Sequence, residues 1–176
     1  MRKRPLIAAA LAALFVSGGL VACDEPRVDA LQSSCATKDL KWQVTVLDKK
    51  SGSLHRDGRL SAVNTGDREC VFRGYPEFRV HLGKGPQADG VGHGRGRPVS
   101  LARGAGVVVD LRYRDAEEGH PDPADCLVNS GHAVVAAPRD ADHGTAAPVR
   151  DEKGKEVDMD VCDDVVHMGP PRAATG

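Results

Sequence analysis

From Leu40 onward the apolar residues fall on every second position: Leu40, Trp42, Val44 and Val46 alternate with Lys41, Gln43 and Thr45. Side chains of an extended chain point alternately to opposite faces, so this pattern predicts a strand with one buried face and places Trp42 in the core. Further short apolar runs at 59–63, 69–72, 77–82, 99–101, 106–113 and 132–136 read as strands. Turn chemistry separates them, at Lys50 to Gly52, Arg56-Asp57-Gly58, Asn64-Thr65-Gly66-Asp67, Arg73-Gly74-Tyr75-Pro76 and Ala102-Arg103-Gly104. No stretch carries the 3.6-residue period of an amphipathic helix. Many short strands with regular turns predict an all-β sandwich.

The last strand, 156–166, sets Val157, Met159 and Val161 on one face and Asp158 and Asp160 on the other, which puts Cys162 on the polar face unless a bulge resets the register. Two connections are longer than simple turns. Residues 83–98 hold six glycines with Lys84, Arg95 and Arg97, a composition that predicts a mobile segment and the first surface to mutate. Residues 115–125 carry acids ahead of His120-Pro121-Asp122-Pro123.

The N-terminus has a different pattern. Arg2, Lys3 and Arg4 precede an apolar run from Leu6 to Val16, a break at Ser17-Gly18-Gly19, and then Leu20-Val21-Ala22-Cys23. This is the layout of a lipoprotein signal, in which the chain is cut before Cys23 and diacylglycerol is attached to its thiol. The apolar run is shorter than the roughly 20 residues of a spanning helix. Two acyl chains, at about 0.8 kcal/mol per buried CH2, hold a protein on a bilayer where one would exchange. The expected organisation is a signal peptide over 1–22, a polar tether over 23–34, a sandwich domain over 35–168 and a flexible tail over 169–176.

Removing the signal removes three cations and no acids, leaving 21 Lys and Arg against 25 Asp and Glu, a balance of −4. That balance argues against nucleic acid as a partner, because phosphate binding needs a cationic surface. Aromatic residues make up only 3% of the chain, so the core must come largely from Val, Leu and Ala. Beyond Cys23 the cysteines are Cys35, Cys70, Cys126 and Cys162, an even number in an exported chain, which predicts two disulfides. Three pairings exist. Cys35 with Cys70 and Cys126 with Cys162 joins chain neighbours and is the favoured pair, each closing a loop of about 35 residues worth roughly 3–4 kcal/mol. A zinc site lacks the C-x2-C pairs it would use.

Catalytic motifs are missing from the sequence. It has neither a Gly-x-Ser-x-Gly elbow nor a His-Glu-x-x-His pair, and the cysteines are spoken for by lipid and disulfides. The seven histidines, at 55, 81, 93, 120, 132, 143 and 167, show no i, i+2 or i, i+4 pairing and read as solvated. Weaker alternatives are an extracytoplasmic hydrolase with an unfamiliar site, copper bound by His167-Met168, and calcium bound by Asp158, Asp160 and Asp164.

Asn64-Thr65 followed by Cys70, then Gly74-Tyr75-Pro76, then Leu101-Ala102-Arg103-Gly104-Ala105 leading into 107–113, then Cys126, a strand ending at Pro138, and Cys162 resemble a family of uncharacterised secreted and lipid-anchored actinobacterial domains of unknown function. Arg103 stands where proline is usual. The resemblance implies an immunoglobulin-like antiparallel β-sandwich with two disulfides, and it implies no activity. The combined expectation is a non-enzymatic, monomeric lipoprotein on the outer side of the cell membrane, with an envelope protein or glycan as partner. It needs no metal and no cofactor beyond the lipid on Cys23. Trp42 and Tyr75 are expected as core or corner anchors.

Overall fold

The computed structural model describes residues 33–81, 85–115 and 128–175, the side chains of 128 and 129 excepted. Cys23, Cys126, the expected signal peptide and residues 116–127 lie outside them. Thirteen short strands, numbered β1 to β13 along the chain, occur among the described residues. β1 (Leu40–Val46) pairs antiparallel with β2 (His55–Asn64), and β2 with β7 (Gly106–Arg114). On its other edge β1 lies parallel to β10 (Thr145–Asp151). Antiparallel steps then lead to β9 (His132–Ala136), β4 (Glu77–His81) and β5 (Gln87–Gly92). β12 (Val165–Met168) runs parallel to β5 and antiparallel to β7, with His167 opposite Arg112 and Met168 opposite Leu111. That last pairing joins the two ends of the sheet.

The fold is therefore a closed eight-stranded β-barrel, and the expected immunoglobulin-like sandwich is corrected. A sandwich has two separate sheets, each with exposed edges; here the free edge of β7 is taken by β12, and closure removes the edges. An eight-stranded barrel is just wide enough for side chains to fill its interior. This suits a chain poor in rings. Leu40, Trp42, Val44 and Val46 all point inward, as their alternation predicts, and meet Leu60, Val109, Val80, Val135 and Val149 from the other staves. Fully burying each such residue contributes about 1.5–3 kcal/mol.

Three elements differ from the expected pattern for identifiable reasons. Arg56-Asp57-Gly58, expected as a turn, lies within β2, where Gly58 allows close approach: a Cβ there would lie 3.3 Å from the Thr45 carbonyl oxygen. β10, which contains Pro148, was hidden because proline reads as a strand breaker. The expected mobile segment 83–98 contains β5, a barrel stave. Its inward positions carry Ala88 and Gly90, and a Cβ on Gly90 would come within 2.8 Å of Phe78 Cβ and 2.9 Å of Met168 Cε. Small residues chosen for close approach leave no hydrophobic signal to read.

The expected last strand splits. β11 (Met159–Val161) pairs with β8 (Val128–Ser130), and the chain breaks at 162–164 before β12, which lets both Val161 and Cys162 be buried. A second ribbon joins β3 (Cys70–Phe72) to β6 (Val99–Leu101) and adds Phe72 and Leu101 to the core. Cys35 and Cys70 form a disulfide, as the favoured pairing has it. Cys162 is also disulfide-bonded. Arg172–Ala173, in the segment expected as a flexible tail, form β13 against Val107 and Val108 of β7.

Candidate functional site

The outer surface where the barrel closes brings arginines, aspartates and two histidines together. Outward positions on β2 and β7 carry opposite charges in register: Arg59 faces Asp110, and Asp57 faces Arg112. Asp110 accepts two hydrogen bonds from Arg172 Nη2, at 2.8 and 3.0 Å, and lies 3.8 Å from Arg59 Nε. Asp57 lies 3.6 Å from Arg112 and 3.0 Å from Lys50. Solvent-exposed pairs of this kind each contribute about 0–1 kcal/mol, so they orient side chains more than they stabilise the barrel.

Beyond β5 the chain reads Gly92-His93-Gly94-Arg95-Gly96-Arg97, and its conformation follows from what lies beneath it. The Tyr75 ring fills the space beside Gly92, and the Tyr75 hydroxyl donates to the carbonyl oxygens of His93 and, at 3.2 Å, Gly94. Gly94, with φ +83°, and Gly96 face Pro170 and Pro171; a Cβ on Gly96 would lie 3.0 Å from Pro171 Cδ. With the glycines against the prolines, Arg95 and Arg97 are left exposed, and neither forms an ion pair with a described residue. They border a groove of about 670 Å³ shared with Val99, the prolines and Arg172. Asp110, the acid in that lining, is held by Arg172. The groove is therefore cationic in a domain whose overall charge is acidic.

A second hollow, of about 480 Å³, adjoins the first through Asp110 and Pro170. His93 and His167 meet in its lining, with His93 Nε2 2.8 Å from His167 Nδ1 and ring centroids 4.9 Å apart. Met168, the other half of the copper pair considered from sequence, is buried, because neighbours on a strand point to opposite faces. Asp158, Asp160 and Asp164 do not gather either. Among the described residues no three or more His, Cys, Asp or Glu side chains converge as a metal site.

Elsewhere the polar side chains have structural work. Trp42 is buried, 6.2 Å from Phe72, and donates its Nε1–H to the Thr37 carbonyl at 3.3 Å. Buried Asn64 donates to the carbonyls of Arg68 and Leu101, both at 2.8 Å, and accepts from Gly66 N–H. Asp115 is buried between Lys49 at 3.4 Å and Arg56 at 3.5 Å. Burial pushes the Tyr113 phenol far above its ordinary range, with Arg56 opposing and Asp115 and Asp160 adding to the effect. The hydrogen bonds from Thr37 hold the Asp140 carboxyl below its usual range. Neither Tyr113 nor Asp140 lines the two hollows.

The family assignment covers most of this architecture. A family model described as a domain of unknown function, DUF4232, matches residues 35–170, from the first disulfide cysteine to the proline beneath Gly94. The chain belongs to the DUF4232 family. No curated protein and no solved structure matches it. The matched DUF4232 segment includes His93, Arg95, Arg97 and His167, and it stops short of Arg172. Arg95 and Arg97 lie in the segment whose composition predicts mobility, and the signal of their placement is the glycine alternation opposite Pro170-Pro171.

Proposed function

We propose that this DUF4232 chain is a non-enzymatic, lipid-anchored binding module of the actinobacterial envelope, held at the outer side of the cell membrane through Cys23, and that its groove takes an anionic envelope glycan. One observation carries the ligand class: two guanidiniums without an ion-pair partner among the described residues, Arg95 and Arg97, stand beside Arg172 on a backbone pinned by Tyr75, Pro170 and Pro171. A guanidinium offers a planar fork of donors that matches phosphate or carboxylate, and fixing its backbone in advance lowers the ordering cost of binding. The prolines supply an apolar floor for a sugar ring or polyol backbone. Lipidation at Cys23 rests on Leu20-Val21-Ala22-Cys23 and would keep the module beside such polymers.

The test of the ligand is binding of poly(glycerol phosphate) by the detergent-solubilised chain. Arg95→Ala/Arg97→Ala is expected to weaken binding by about tenfold or more, and added salt to weaken the parent protein's binding. Equal binding by the double variant would overturn the glycan reading. The anchor is tested separately by Cys23→Ala, which should move the protein from the detergent phase to the aqueous phase; an unchanged partition and mass would exclude lipidation.

A further inference from the structure

We infer that His93 and His167 form a two-histidine site for a borderline divalent transition metal, copper(II) being held most tightly. This site stands apart from the glycan reading, since neither histidine belongs to the arginine groove. The two residues are 74 positions apart and reach each other only because β5 and β12 lie side by side where the barrel closes. His93 Nε2 and His167 Nδ1 are 2.8 Å apart, so the two ring nitrogens face each other at a separation that one metal ion can span. In this contact the N–H of one ring donates a hydrogen bond to the lone pair of the other. If that proton moves to the far nitrogen of its own ring, both imidazoles stay neutral and both facing nitrogens become lone-pair donors. Two metal–nitrogen bonds of about 2.0 Å at the roughly 90° angle of a square-planar copper(II) site need the nitrogens about 2.8 Å apart, so the rings need to turn toward the metal and hardly to separate.

The backbones beneath both rings are already fixed. The His93 N–H donates to the Met168 carbonyl at 2.9 Å, and its own carbonyl accepts from the Tyr75 hydroxyl. His167 lies between Val91 of β5 and Arg112 of β7. The cation nearest in register, Arg112, is paired with Asp57 at 3.6 Å, which tempers its repulsion of a metal. Both rings are exposed, leaving the remaining coordination positions open to water or to a donor on a bound molecule. Imidazole ligands suit copper, nickel and zinc, and among the divalent first-row ions copper binds such sites most strongly.

The test is titration of the full detergent-solubilised chain with Cu2+, Ni2+ and Zn2+, read by calorimetry and, for copper, by nitrogen superhyperfine splitting in electron paramagnetic resonance. One Cu2+ per chain is expected, bound more tightly than Ni2+ or Zn2+, with splitting from two imidazole nitrogens. His93→Ala and His167→Ala should each weaken it by about tenfold or more, while His132→Ala, near His81 at the T-shaped ring pair, should leave it unchanged. Circular dichroism and melting of each variant separate loss of a ligand from loss of the fold; His93→Gln, which keeps a polar side chain of similar size, should lose the metal as the alanine variant does. Undiminished copper binding by the His93→Ala/His167→Ala protein, or equal loss in His132→Ala, overturns the assignment.

Discussion

The Tyr75 ring occupies the space that a side chain at position 92 would need: a Cβ on Gly92 would lie 2.5 Å from Tyr75 Cδ2. The ring thereby reaches the carbonyls of His93 and Gly94 and sets the backbone that carries both the histidine and the two arginines. Gly92→Ala is expected to cost about 1–3 kcal/mol through overpacking. Tyr75→Phe keeps the ring and loses the hydroxyl, at about 0.5–1.5 kcal/mol. Urea denaturation gives both values. If Gly92→Ala proves as stable as the parent, the ring does not hold this place.

The Cys35–Cys70 bond closes a loop of 35 residues and ties the chain ahead of β1 to β3. Replacing both cysteines by alanine should lower stability by roughly 3–4 kcal/mol on the chain-entropy account. Comparison of calorimetric melts under non-oxidising and non-reducing conditions checks the value, and the double variant should no longer respond to reductant at this site.

Asn64 offers a sharper comparison, because its amide donates to two carbonyls, one of them buried. Asn64→Ala leaves the Leu101 carbonyl without this donor and should cost about 1–3 kcal/mol. Asn64→Asp should cost more at neutral pH, since it turns a negative oxygen toward both carbonyls. A smaller loss in the aspartate variant would mean that the amide is placed the other way round.

Acid should weaken the contact between the segment around Asp140 and the start of the domain. Asp140 Oδ2 accepts from the Thr37 N–H at 2.6 Å, and Oδ1 pairs with His143 Nδ1 at 2.7 Å. These bonds favour the charged form, so the folded-state pKa is lowered, first through Thr37 and then through His143. A lowered carboxyl pKa stabilises the fold above the unfolded value, about 3.9, and that contribution is lost as pH falls through the folded value. The stability gap between the parent and Asp140→Asn should therefore shrink below about pH 4. Chemical denaturation at pH 3 and pH 6 measures it; a gap that widens on acidification would reverse the assignment.

Period-two alternation was sufficient to read β1, because a strand that is dry on one side and wet on the other carries that period whatever sheet it joins, and β7 was legible as an apolar run between turn residues. The turn at Asn64 was legible from residue types acting near one another in the chain, and the bridge between Cys35 and Cys70 from an even cysteine count and the pairing of successive cysteines. The same alternation is common to sandwich and barrel, and so it was silent on closure.

Tertiary structure alone decided the rest. Whether β7 ends at an exposed edge or meets β12 depends on pairing His167 with Arg112 and Met168 with Leu111, residues more than fifty positions apart. β5 was hidden because its inward positions are the small Ala88 and Gly90, the latter in close approach to Phe78 and Met168, which hydropathy does not register. The candidate sites follow from that closure. His93 meets His167, and Arg95 and Arg97 stand fixed over Pro170 and Pro171, only once β5 and β12 have been brought together by contacts that no local pattern encodes.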